Sequence, residues 1–71
     1  MIAVEEATRI DTKDFLIYRV DVTGQAEISG ESSLEIEARR FAGIMHHAEP
    51  ERGVYYEVRG STGDELLFTT R

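Results

Sequence analysis

His46 and His47, followed by Glu49, are the residues best suited by type to hold a metal ion. Two histidines that chelate from one helix must stand three or four apart to share a face, whereas neighbours diverge by about 100°. The chain has no cysteine and no other histidine, so further ligands would have to be distant carboxylates. We expect no metal and read the pair as the basic last turn of a helix, interacting with its final carbonyls. Ser29, Ser32, Ser33 and Ser61 fall at expected caps and turns, and none sits in a G-x-S-x-G elbow. Glu5-Glu6 and Asp64-Glu65 lie in polar contexts that leave a carboxylate solvated and its affinity for protons ordinary. Gly60-Ser61-Thr62-Gly63 spells G-x-x-G, a nucleic-acid backbone clamp when it joins two helices. Here it joins two expected strands and runs into Asp64-Glu65, which repel phosphate, so it reads as a hairpin turn. Phosphate-binding, dinucleotide, calcium-loop and zinc-protease motifs are all missing from the sequence. The expectation is a protein without catalysis and without a cofactor.

The elements that would position these residues begin with a helix over 33–48. Ser32 and Glu35 have capping-box spacing, Glu35 and Glu37 put negative charge in the first turn, and Pro50 follows the end. Leu34, Ala38, Phe41, Met45 and Ala48 fall in one stripe, the expected core face. Strands are expected at 15–22, 54–59 and 65–70, the last two forming an antiparallel hairpin across Gly60–Asp64. Residues 2–10 form a weaker strand candidate that pairs with 15–22 across Asp11–Asp14, and 25–29 either extend strand 15–22 past a bulge at Gly24 or form a short strand of their own. The fold class is α+β. A mostly antiparallel sheet of three to four strands carries one helix on one face, in the order β-β-α-β-β.

Seventy-one residues make one domain, 1–71, that buries about 60–65% of the surface its unfolded chain exposes. Such a chain gains stability by covering apolar surface with a partner. Fourteen acidic against eight basic residues give a net charge of −6. Residues 1–37 hold nine carboxylates against Arg9, Lys13 and Arg19, while 38–71 balance five against five. A field of that sign disfavours direct nucleic-acid binding, through the sheet or through Arg39-Arg40, and disfavours an anionic membrane. Seven of the eight basic residues are arginine, a residue favoured at interfaces and also enriched by GC-rich codon usage. With no cysteine, no apolar run of membrane-spanning length and an ordinary translation start at Met1, the expected location is cytoplasmic.

One helix shields one sheet face. On strand 15–22 we expect Leu16, Tyr18, Val20 and Val22 to face the helix, together with Val54, Tyr56 and Val58. Phe15, Ile17, Tyr55 and Leu67 are then left on the helix-free side as an apolar patch that seeks a partner. A second surface is the outer helix strip Ile36, Arg40, Gly43 and His47, at i, i+4, i+7 and i+11. The leading expectation is a small non-catalytic protein-interaction domain whose partner is a protein, foremost a second copy of itself. The alternative is an acidic inhibitor or nucleic-acid mimic, of the kind phages and mobile elements encode, that occupies a basic host protein through its N-terminal carboxylates.

Overall fold

The computed structural model describes residues 14–71. The strand candidate at 2–10 and the turn at Asp11–Asp14 that would follow it lie outside the described residues, apart from Asp14. Strand β1 (Phe15–Val20) turns back into β2 (Ala26–Ser32), helix α1 (Glu35–Ala48) follows, and β3 (Tyr55–Gly60) and β4 (Leu66–Thr69) close the chain. The four strands form one antiparallel sheet in the order β2-β1-β3-β4, with α1 packed against it, so the fold is α+β with the element order ββαββ. The two strands ahead of the helix are β1 and β2. Residues 26–32 are therefore a full strand, and Gly24 belongs to the turn instead of a bulge. That turn is fixed by Asp21, whose carboxylate accepts from the Thr23 N–H, the Thr23 hydroxyl and the Gln25 N–H at 2.6–3.0 Å. No helix among the described residues is long and apolar enough to cross a membrane.

Val54, Tyr56 and Val58 lie under the helix, with Ala38 and Ala42 above them. In β1 the assignment of faces is the reverse of the expectation. Ile17 pairs with Val58 and is fully buried in the same cluster, while Phe15 packs against its margin. Leu16, Tyr18 and Val20 pair with Arg59, Glu57 and Tyr55 and so share the helix-free face. Arg19 misled the reading. It lies on the helix side, where a charge looks out of place, but at the end of that face, where Glu49 receives it from the loop after α1.

The helix also rotates relative to its expected stripe. Ala38 and Ala42 are its buried residues and Met45 packs beside them, whereas Leu34, Phe41 and Ala48 are exposed. Two alanines one turn apart let the backbone approach the sheet, which centres the contact on 38-42-45 and turns Leu34 and Phe41 to a flank. The capping box does not form: Leu34 is the N-cap residue, without a side-chain cap. Ser32, itself buried, accepts from the Leu34 N–H and donates to Glu37, and Glu35 instead pairs with Arg39 one turn on.

The β3–β4 hairpin forms as expected, with Gly63 alone of its two glycines at positive φ (83°). A Cβ at Gly63 would also stand 2.8 Å from the Tyr18 hydroxyl. Gly63→Ala should therefore cost about 1–3 kcal/mol, seen as a lower urea midpoint at unchanged slope. An unchanged midpoint would show that the turn can yield without cost.

Candidate functional site

The four residues expected as a helix-free patch do not form one. Ile17 is sequestered beneath α1, and Phe15 and Leu67 pack against the buried cluster, Leu67 entering through an irregularity in the β3–β4 register. Of the four, Tyr55 alone stays on the helix-free side. There the Arg71 guanidinium lies 4.9 Å from its ring centroid and donates to its hydroxyl. Beside it the Arg59 guanidinium covers the Tyr18 ring at 4.4 Å and pairs with Glu57. Arginines stacked on tyrosines present a polar outer layer while their stems shield the rings. The two tyrosine rings of the helix-free side are thus shielded by the protein's own arginines, while Ile28 and Leu66, paired with Tyr18 and Arg59 in the sheet, stay exposed at its opposite edges.

The outer helix strip is placed as expected. Ile36 (69% exposed), Arg40, Gly43 and His47 all face away from the sheet. The sequence reading missed their neighbours: Leu34 (57%), Ile44 (59%) and Phe41 (36%) are also exposed. Ile44 belongs to neither expected stripe, and its signal was a large β-branched residue opposite a pair of alanines. Arg39 is occupied, bonded to Glu35 and lying 5.3 Å from the Phe68 ring centroid, whereas Arg40 has no ion-pair partner among the described residues. Ion pairs of the exposed Arg39–Glu35 type contribute only about 0.3–0.5 kcal/mol.

The densest titratable cluster sits below the C-terminus of α1. Arg19 grips Glu49 with two hydrogen bonds of 2.9 and 3.0 Å, the Tyr56 hydroxyl donates to the same carboxylate at 2.7 Å, and Glu51 lies 3.4 Å from Arg19. Hydrogen bonds from Arg19 and then Tyr56 hold the Glu49 carboxyl at about 2, far below its ordinary value near 4.5. Burial, then the bond to Glu49, pushes the Tyr56 hydroxyl up, and Glu49 raises Arg19. A carboxylate so acidic and so fully bonded is a poor proton acceptor. This cluster clamps the loop after the helix to the sheet.

Chemistry elsewhere is sparse. His46 and His47 are both exposed, and no group of three or more metal-ligating side chains occurs among the described residues. A broad depression of about 660 Å³ between the β1–β2 turn and β3 is lined in part by His46, Tyr55 and Arg71. Its one carboxylate, Asp21, is committed to its own turn. Of the acidic N-terminal half, Glu5, Glu6 and Asp11 lie outside the described residues, and Glu27 and Glu31 stand exposed on the edge strand β2. Both sheet edges carry an irregularity, β2 at Ser29 and β4 at Leu67, features that discourage strand addition. The chain matches no family model, and comparison with curated proteins and with solved structures likewise found no match.

Proposed function

We propose that this chain is a small, non-catalytic protein-interaction domain that docks a protein partner on the outward side of α1, without a cofactor and in a reducing, cytoplasmic setting. One observation carries the reading. Among the described residues, seven large hydrophobics stay exposed, and Leu34, Ile36, Phe41 and Ile44 of these lie on the helix or its cap. Scattered apolar residues are normal, but a cluster on one element marks a contact surface. The other three, Val22, Ile28 and Leu66, stand apart on the β1–β2 turn and the two edge strands, so the helix carries the largest group, and the irregular edges favour it further as the route to a partner.

Replacing both Ile36 and Ile44 with glutamate leaves the core untouched, so stability should stay within about 0.5 kcal/mol per site. A partner retained by the immobilised wild-type chain should be lost by the double variant, each site weakening binding by roughly tenfold. Identical binding by the two proteins would remove the helix face from consideration.

A further inference from the structure

We infer that the occupant of this helix face is a second copy of the chain, its α1 packed antiparallel about the midpoint between Arg40 and Gly43; the inference rests on the interaction reading above. Ile36, Arg40, Gly43 and His47 are spaced four, three and four apart, a pattern that reads the same in both directions. Reversing one helix against another sets Ile36 opposite His47 and Arg40 opposite Gly43, at two equivalent places. A two-fold interface needs this kind of self-complementarity.

Gly43 is the residue that asks for an explanation. It lies in a regular helix, where glycine costs about 1 kcal/mol relative to alanine. Yet no heavy atom stands within 4 Å of the place its Cβ would take. Nothing among the described residues of the protomer requires the missing side chain. A partner helix does, because the gap admits the aliphatic stem of the facing Arg40, which is free to lie there while Arg39 is held. Ile44, beside the strip, widens the apolar contact.

Charge permits the same partner. The chain carries −6 overall, but Glu35–Ala48 holds Glu35 and Glu37 against Arg39 and Arg40, so the helix is formally neutral. Two acidic copies repel elsewhere and can meet here. Antiparallel packing also brings the acidic first turn of each helix beside the histidine-bearing last turn of the other, with the two helix dipoles opposed. An anionic lipid surface would require a basic strip, which this is not. A contact confined to one helix strip on each copy belongs with the weak interfaces below ~1,200 Å², so the dissociation constant we expect is on the order of 10–100 μM.

The chain has no cysteine, so introduced thiols report the packing cleanly. Mixing Ile36→Cys with His47→Cys protein under mild oxidation should give the mixed disulfide, with little homodimer of either. Sedimentation of the full wild-type chain from about 5 to about 500 μM should pass from monomer to dimer. Gly43→Leu should raise the dissociation constant at least about tenfold, while its unfolding midpoint stays at or above that of the wild type. A wild-type monomer throughout that range overturns self-pairing and leaves the interaction reading to the Ile36 and Ile44 comparison. Homodisulfides of Ile36→Cys overturn the antiparallel arrangement. A dimer indifferent to Gly43→Leu and to the Ile36→Glu, Ile44→Glu double variant overturns both readings.

Discussion

Ile17→Ala should cost about 2–5 kcal/mol, enough to leave a domain of this size at the edge of unfolding. Ile17 has no exposed surface and is one of the largest fully buried side chains of the described fold, set against Val58 and beneath Ala38 and Ala42. Removing its outer carbons opens a cavity that a close helix–sheet contact cannot readily collapse. Tyr18→Ala, one position along the same strand, should cost less, about 1–2 kcal/mol, since it loses a stacked guanidinium and a partly covered ring. The pair therefore tests the facing of β1. Urea unfolding followed by circular dichroism reads both midpoints. If Tyr18→Ala proved the more damaging, the strand would have to be turned over, and the buried cluster with it.

That facing is where the sequence was hardest to read. In Phe-Leu-Ile-Tyr-Arg-Val both alternating sets are apolar, and a period of two cannot choose between them. The arginine tips the choice the wrong way, because its partner Glu49 is thirty residues further along and belongs to a loop. Elements whose signal is local fared better: the helix, its end before Pro50, and the β3–β4 hairpin are all legible from neighbours within a few positions. The capping box failed for the same reason as the strand face. Ser32 is paired with Phe15 in the sheet, and a residue already spoken for by a strand meets the helix on different terms. Of the candidate surfaces, the helix strip was legible because a 3.6-residue period fixes what points outward. The sheet patch was not, because its existence depended on a register that tertiary pairing decides.

Glu49→Gln should lower stability at neutral pH and remove much of its acid dependence. The carboxyl titrates near 4.5 in the unfolded chain and at about 2 in the folded one, because Arg19 and then Tyr56 bond its ionised form. With the folded value depressed, the unfolded chain takes up the proton first as pH falls. The contribution of Glu49 is therefore complete above about pH 5, declines as pH falls from about 5 to about 2, and is gone below both values. Asp21, also held below its ordinary value by its bonds to Thr23 and Gln25, adds to the loss in the same sense. The amide keeps one acceptor but no charge, so Arg19 is left with Glu51, a longer and more exposed partner. Unfolding curves at successive pH values should show wild type and Glu49→Gln well separated at pH 7 and converging as pH approaches 2. Tyr56→Phe should reproduce part of the separation, at roughly 1–2 kcal/mol, because it deletes one donor and keeps the buried ring. A gap between wild type and Glu49→Gln that stayed constant from neutral to acid would mean that shape, not ionisation, lets Glu49 hold the helix end to the sheet.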